Sequence, residues 1–134
     1  MKVLVVCTGN SCRSQMAEAW FNERDGVEAK SAGTHPETVN RNAVAAMSEV
    51  GIDISHKDSN HLDDYIDEEF DYVITVCDHA EQHCPVFAGA GQHMHHSFED
   101  PAKFKGTEEE TLNKFRAVRD EIQVYVNDFV KRNM

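Results

Sequence analysis

The chain has 134 residues, and its 13 Lys and Arg against 24 Asp and Glu give a formal net charge of −11. That charge argues against a nucleic-acid-binding protein, and the absence of a long apolar run argues against a membrane-spanning one. The length suits one domain over residues 1–134. Four cysteines without an export signal lead us to expect reduced thiols in the cytoplasm, available for chemistry or metal binding.

Strands and helices alternate in the first part of the chain. The apolar run Val3–Val6 predicts a buried strand that ends at Cys7. Apolar residues at helical spacing predict a helix from about Ser11 to Arg24, and Val27–Ser31 is typical of a short strand. A second helix is predicted over Asn42 to Val50. Its expected cap and stop are Asn40 and Gly51.

The second part begins with Tyr72–Val76, a strongly predicted strand that ends at Cys77. Residues 78–92 contain Pro and Gly and are predicted to form a long loop. Gln92–Phe98 is predicted as a fourth strand.

The sequence of the last segment predicts a long helix. Thr107 and Glu110 form a capping-box pattern at its start. An apolar stripe then runs towards the C-terminus, made of Leu112, Phe115, Val118, Ile122, Val126 and Phe129. Alternating strands and helices predict an α/β protein, a single three-layer αβα domain with a four-stranded parallel sheet.

In parallel sheets, active sites lie beyond the carboxyl ends of the strands. Cys7 and Cys77 end the two strongest predicted strands, so we expect both thiols at the same edge of the sheet.

The segment between the first strand and the first helix has the composition of an anion-binding loop. Its residues are small and hydroxylated, with Gly9 at the centre supplying flexibility, and the helix N-terminus adds positive charge. Arg13 offers a planar fork of donors to a tetrahedral oxyanion, and the same donors are expected to lower the pKa of the Cys7 thiol. The predicted oxyanion-binding loop is Thr8, Gly9, Asn10, Ser11, Cys12, Arg13 and Ser14.

Two less specific interpretations of this loop remain open. An ordinary strand–helix turn with a buried cysteine has the same elements, and a bare Cys-x5-Arg spacing is weak evidence. Cys12, inside the loop, is expected to pack inward rather than react.

The run Cys-Thr-Gly-Asn-Ser-Cys-Arg-Ser-Gln-Met-Ala-Glu over residues 7–18 resembles the low-molecular-weight protein tyrosine phosphatases. More narrowly, it is similar to the thioredoxin-coupled arsenate reductases built on that fold. The resemblance continues through residues 31–34, 53–55, the Cys77/Cys84 pair, 100–102 and 115–122, and so extends over nearly the whole chain.

Three features separate the reductase branch from the phosphatase branch. Gln15 stands where phosphatases usually have Pro, and Ala102-Lys103 stand where they usually have aromatic residues. Cys77 and Cys84 are needed by a reductase only, because the two electrons that reduce arsenate to arsenite must come from a pair of thiols. The resemblance therefore implies an arsenate reductase with weak phosphatase side activity, the alternative being a low-molecular-weight protein tyrosine phosphatase.

The resemblance also implies a sequence of steps. Cys7 attacks arsenate, for which phosphate and sulfate are competing oxyanions, while Arg13 holds it and Asp100 protonates the departing oxygen. Cys77 then attacks Cys7 and releases arsenite, and Cys84 forms a Cys77–Cys84 disulfide that thioredoxin reduces. Glutaredoxin or a small thiol is the alternative donor. No tightly bound cofactor is implied, and we expect a monomer.

Supporting roles follow from the same resemblance. Ser14 is expected to donate a hydrogen bond to the Cys7 sulfur, and Asn10 to hold the loop. For Asp100, the simpler alternative is a capping residue before Pro101.

The spacing of the resolving cysteines predicts a conformational change. If the seven residues from Cys77 to Cys84 were helical, their Cα atoms would lie about 10 Å apart. A disulfide needs less than about 7 Å. We therefore expect residues 78–92 to rearrange when Cys84 reacts.

Histidines are frequent near these cysteines, which allows a transition-metal site in segment 79–96. The members are His79, His83, His93, His95 and His96. Neither a zinc-finger nor a His-Glu-x-x-His spacing is present, and a closed metal site would occupy the reactive thiols. We therefore expect no functional metal, and a solvated loop whose histidines add positive potential below about pH 6.5.

The resemblance suggests a weak monovalent cation site made of Asn10, Glu18, Ser31 and Asn60. Asn60 replaces the usual Asp, and Lys57 is a candidate to supply the positive charge instead. The acidic run over residues 63–69 is predicted to be an exposed helix face.

Overall fold

The computed structural model describes residues 1–134. Strands and helices alternate in the following order: β1 Lys2–Cys7, α1 Arg13–Asn22, β2 Glu28–Gly33, α2 Arg41–Ser48, β3 Phe70–Thr75, α3 Asp78–His83, β4 Ala90–His95 and α4 Glu108–Asn133. Two short 3-10 turns cover Leu62–Tyr65 and Pro101–Lys103.

The four strands form one parallel sheet in the order β2-β1-β3-β4, which confirms the predicted architecture. Val3–Val6 in β1 are fully buried, as expected for a strand covered on both faces. Helices flank the sheet, and α4 packs against α1 and α2. None of the helices is long and apolar enough to cross a membrane.

The long helix α4 has the predicted start and the predicted apolar face. The Thr107 hydroxyl accepts from the Glu110 N–H at 3.1 Å, and the Glu110 carboxylate accepts from the Thr107 N–H at 3.0 Å. Phe115, Ile122 and Phe129 of the stripe are buried. The Phe129 ring meets Phe21 of α1 edge-on, with centroids 5.7 Å apart, so the stripe joins α4 to the core.

The largest error of the sequence analysis concerns residues 78–92. The predicted loop contains the helix α3, and β4 begins at Ala90 within it. The Cys77 sulfur caps α3 by accepting from the Ala80 N–H at 3.4 Å, and the Ala80 side chain is fully buried. Because α3 is held by the Cys77 cap and by one buried alanine, its sequence has almost no apolar periodicity, and no helix was predicted.

The acidic run over residues 63–69 is not one helix face. The 3-10 turn ends at Tyr65, and the Glu68 carboxylate binds Lys2 and Lys30 at 2.9 and 3.1 Å. Glu68 thereby links the region before β3 to β1 and β2 rather than facing solvent alone.

We predict that Ile122→Ala lowers the free energy of unfolding by about 2–5 kcal/mol, because it leaves a cavity under α4. Val124→Ala is the matched control, since Val124 is 61% exposed on the same helix and should cost less than about 0.5 kcal/mol. Urea unfolding followed by circular dichroism measures both. Equal losses in the two variants would contradict the assignment of the buried face.

Candidate functional site

The site lies at the carboxyl edge of β1 and β3, where the chain turns into α1 and α3. Cys7 is the last residue of β1, and Cys77 follows β3 by two residues. The Thr8 hydroxyl lies 3.3 Å from the Cys77 sulfur, so the two segments meet. The expectation that both thiols share one edge of the sheet is confirmed.

The loop between β1 and α1 turns at Asn10, which has a φ of 49°. Asn10 alone among the non-glycine residues has a positive φ, so the unusual backbone conformation of the loop lies one residue after Gly9. Asn tolerates this left-handed region better than most residues. The end of β2 closes against the loop, since a Cβ atom on Gly33 would lie 2.5 Å from the Thr8 carbonyl oxygen.

The buried Asn10 side chain holds the loop by hydrogen bonds in several directions. Its Oδ1 accepts from the Asn60 N–H at 2.9 Å and from Gln15 Nε2 at 3.1 Å. Its Nδ2 donates to the Ser14 and Ser31 hydroxyls at 2.8 and 2.9 Å. These bonds agree with the role in loop shape that the sequence suggested.

The same network leaves the Ser14 hydroxyl able to donate to the nucleophile candidate. The Ser14 and Cys7 side chains lie 2.8 Å apart, Oγ to Sγ. Because the Ser14 oxygen already accepts from Asn10, its own hydrogen is free to donate to the Cys7 sulfur.

The expected low pKa of Cys7 is wrong. Burial raises the pKa of the Cys7 thiol above its ordinary value, and this outweighs the lowering by the Ser14 hydrogen bond, the loop N–H groups and Arg13.

Arg13 is buried, lines the cavity and has one unpaired donor. Its guanidinium donates to the Phe98 carbonyl at 3.1 Å and lies 3.5 Å from the Asp100 carboxylate. Its Nε has no hydrogen-bond partner in the protein. A buried donor without a partner is costly. A cavity of about 270 Å³, lined by Cys7, Arg13 and Asp100, is suited to an oxyanion that would accept from it.

Asp100 caps a turn and also lines the cavity. One carboxylate oxygen caps the 3-10 turn by accepting from the Ala102 N–H at 3.0 Å. The other lies near Arg13 at the cavity wall. Cys12 is 3% exposed, and its thiol lies 3.7 Å from Asp100. Burial and the Asp100 charge raise the pKa of Cys12 to about 12, in keeping with an unreactive thiol.

Cys77 and Cys84 stand at opposite ends of α3. Cys77 is buried, with Thr8 and the Ala80 N–H beside its sulfur. Cys84 is partly exposed, and burial raises its pKa to about 11. The two thiols are therefore separated by the length of a helix.

A larger groove of about 700 Å³ adjoins the oxyanion cavity and contains residues that the sequence analysis missed. Thr8, Arg13 and Asp100 line both, while Cys77 and Phe104 line the groove. Phe104 directly follows Ala102-Lys103, the pair that stands where phosphatases usually have aromatic residues.

The arrangement around Glu18 does not suit a free monovalent cation. The Lys57 ammonium lies 2.6 Å from one oxygen of the buried Glu18 carboxylate, and Ser31 donates to the other at 3.1 Å. The Asn60 side chain instead donates to the Asp58 carbonyl at 3.3 Å. The Lys57 ammonium therefore supplies the positive charge beside Glu18.

The histidines near the site form two groups, one on each side of α3. The His79 and His83 rings lie 4.3 Å apart between centroids, and His35 lies 5.8 Å from His79. On another side, His95 contacts Asp78 at 3.1 Å and Glu81 at 3.7 Å, which ties α3 to β4 by charge.

A buried cysteine and an arginine, joined by a tight loop at the edge of a parallel sheet, define the class of phosphatase-like α/β proteins. The profile of one family, described as low molecular weight phosphotyrosine protein phosphatase, matches residues 2–133. The chain belongs to this family.

Relatives within this family carry two kinds of description. Proteins named arsenate reductase from Halalkalibacterium halodurans and Bacillus subtilis are each 45% identical over 131 residues, covering 96% of this chain and 94% of theirs. A structure described as an arsenate reductase in the phosphate binding state matches with a TM-score of 0.84 and 30% identity, over 99% of this chain and 98% of that one. The YwlE arginine phosphatase from Geobacillus stearothermophilus matches with a TM-score of 0.74 and 26% identity, over 98% and 91%.

We predict that Ser14→Ala raises the apparent pKa of Cys7 further, because it removes a donor that stabilises the thiolate. A lost bond to a charged group corresponds to about one pKa unit, so alkylation of Cys7 by iodoacetamide near pH 7 should slow about tenfold. Mass spectrometry of the Cys7 peptide across pH measures the shift. Ser48→Ala on the surface of α2 is the control, and an unchanged Ser14→Ala profile would contradict the bond.

We predict that Lys57→Met lowers the free energy of unfolding by about 1–3 kcal/mol, because it leaves the buried Glu18 charge unpaired. Potassium ions should restore part of this loss in the variant and none in the wild type. Lys105→Met is the control, since Lys105 lies in the groove and has no ion pair. Urea unfolding at fixed ionic strength tests this, and a loss that potassium and sodium affect equally would contradict it.

Proposed function

We propose that this chain reduces arsenate to arsenite through a relay of Cys7, Cys77 and Cys84. The observation that carries the proposal is the position of the second thiol. Cys77 lines the groove that adjoins the oxyanion cavity, and its sulfur lies 3.3 Å from the Thr8 hydroxyl. Cys84 lies at the C-terminal end of α3. The arsenate reductases among its relatives support the same reaction.

In the first step, arsenate binds where the buried Arg13 Nε lacks a partner, and the Cys7 sulfur attacks arsenic. An S–As bond forms and an As–O bond breaks. The thiol proton and the departing hydroxyl leave together as water, with Asp100 transferring the proton.

In the second step, Cys77 attacks the Cys7 sulfur. An S–S bond forms, the S–As bond breaks, and its electron pair stays on arsenic, which leaves as arsenite. The Ala80 N–H donates to the Cys77 sulfur at 3.4 Å, and the Thr8 hydroxyl lies 3.3 Å from it, so two polar groups position the attacking atom. The arsenic centre has then gained two electrons from two thiols.

In the third step, Cys84 attacks Cys77 and frees Cys7. With α3 helical, seven residues separate the two Cα atoms by about 10 Å, whereas a disulfide needs less than about 7 Å. α3 must therefore unwind, and a helix of six residues has little stability of its own. We propose thioredoxin as the dithiol that reduces the Cys77–Cys84 bridge, in the reducing cytoplasm, with the chain acting as a monomer.

The test is arsenate-dependent oxidation of NADPH in the presence of thioredoxin and thioredoxin reductase. Wild type should turn over many times, whereas Cys84→Ser and Cys77→Ser should lose at least a hundredfold in rate. Serine at position 77 can still cap α3, so this variant should fold. Hydrolysis of a small aryl phosphate, which needs neither residue, is the internal control and should survive in both.

Two outcomes would change the proposal. Turnover with glutaredoxin and glutathione but not with thioredoxin would keep the reaction and replace the partner. Steady aryl phosphate hydrolysis without reduction by any donor would contradict the reductase proposal.

One observation favours phosphatase activity as a second function. The Phe104 ring lines the groove next to Arg13 and Asp100, where an aryl group attached to a bound phosphate would lie. Phe104→Ala should then raise the KM for an aryl phosphate several-fold while leaving arsenate reduction unchanged. Equal effects on both substrates would argue against a ring-binding role.

A further inference from the structure

One side of α3 is tied to the sheet through a single histidine. His95 is the last residue of β4 and pairs in register with Thr75, the last residue of β3. Both lie at the carboxyl edge of the sheet, close to Cys77, which follows β3 by two residues. The His95 ring contacts the sheet and the first turn of α3. The steps proposed above assign this side chain no role.

The hydrogen bonds of His95 lead from the sheet to the helix. Its Nε2 lies 3.1 Å from the Asp78 carboxylate, and its Nδ1 lies 2.8 Å from the Thr75 hydroxyl. A carboxylate only accepts hydrogen bonds, so Nε2 carries a proton and donates to Asp78. In the neutral ring Nδ1 then accepts from the Thr75 hydroxyl. His95 thus makes one bond to β3 and one to α3.

Glu81, one turn further along α3, adds charge to this contact. Its carboxylate lies 3.7 Å from Nδ1 of His95, which is an ion-pair distance when the ring is protonated. Exposed pairs contribute little by themselves, because holding two free side chains in one geometry costs entropy. The His95 side chain is only 24% exposed and is already held by Thr75, so less of that cost remains.

We propose that His95 is a positioning residue of the relay, which holds α3 helical through Asp78 and thereby sets the reduction potential of the Cys77–Cys84 pair. The contact belongs to the dithiol form, because forming the disulfide unwinds α3 and turns the Asp78 carboxylate away from the ring. An interaction present only in the dithiol form favours reduction and raises the potential. The effect on the potential rests on the proposed function, whereas the contact between His95 and α3 does not.

The contact acts on two steps of the relay in opposite directions. When Cys84 attacks the Cys7–Cys77 disulfide, a bond to Cys77 forms, the bond to Cys7 breaks, and Cys7 takes the electron pair and the proton that Cys84 gives up. The His95 contact slows this step, because α3 must open. When a dithiol returns two electrons and two protons to the Cys77–Cys84 bridge, the contact forms again. It therefore favours the reduction that completes the cycle.

The first test is the reduction potential of the Cys77–Cys84 couple in the full chain, from thiol–disulfide buffers of graded potential and mass spectrometry of the linked peptide. His95→Ala should favour the disulfide about fivefold, the effect of one hydrogen bond, which lowers the potential by about 20 mV. β4 is an edge strand, so this variant should fold. His96→Ala is the matched control, because the His96 ring stacks on Tyr125 of α4, with centroids 4.4 Å apart.

A double-mutant cycle separates the contact from a general effect on the strand. Asp78→Ala removes the same bond from the helix side and should also favour the disulfide. In the Asp78→Ala background, His95→Ala should change the equilibrium constant less than twofold. A full fivefold effect in that background would overturn the proposal. An unchanged potential in His95→Ala, or an equal change in His96→Ala, would overturn it as well.

Hydrogen exchange tests the contact without the relay. The Glu81 and Cys84 amides donate to the carbonyls of Cys77 and Ala80 at 3.1 and 2.8 Å, so their exchange in the fully reduced chain reports opening of α3. Exchange should be about fivefold faster in His95→Ala than in wild type. Unchanged exchange would contradict the proposal. If exchange is faster but wild type never forms the Cys77–Cys84 disulfide, the proposed relay fails, while the contact stands.

Discussion

The site depends on the buried amide of Asn10. Its left-handed backbone makes the turn, and its side chain links β2, the segment before β3 and the start of α1. One end of this network orients the Ser14 hydroxyl towards the Cys7 sulfur, and the other passes through Ser31 to the Glu18–Lys57 ion pair. Stability is sensitive to substitutions in such a buried network, because an unsatisfied buried donor or acceptor costs more free energy than a formed hydrogen bond contributes. The nucleophile is thus oriented by residues that never touch the substrate.

A second constraint is that α3 must be helical to hold Cys77 and must unwind for Cys77 and Cys84 to form a disulfide. As a helix it keeps Cys77 capped and Cys84 distant, and as a coil it lets them join. Its attachments are few: the buried Ala80, the charged contacts of Asp78 and Glu81 with His95, and the thiol cap itself. When Cys77 enters a disulfide, the cap is lost with it. The chemistry of the relay therefore removes part of what holds the helix, so reaction and unwinding are coupled.

Sequence patterns predicted well wherever burial is periodic. The run Val3–Val6 and the stripe of α4 have the spacing that their packing requires, and both were located correctly. α3 was missed because a sulfur cap and one alanine carry no periodic signal. The positive φ of Asn10 was not predicted, because composition alone does not reveal which residue of a loop adopts that conformation. Lys57 was a candidate that only its contact with Glu18 could assign, and His35 could not be associated with His79 from positions so far apart.

The burial of Cys7 has one more consequence. Thiolates, not thiols, are the forms that peroxide oxidises, and oxidation beyond the sulfenic acid is not reversed by ordinary thiols. Cys7 is 2% exposed, so an oxidant in solvent reaches its sulfur only through the oxyanion cavity. The nearby Cys77 gives any sulfenic acid that does form a partner for a recoverable disulfide. The burial that positions the nucleophile thus also limits irreversible oxidation of its sulfur.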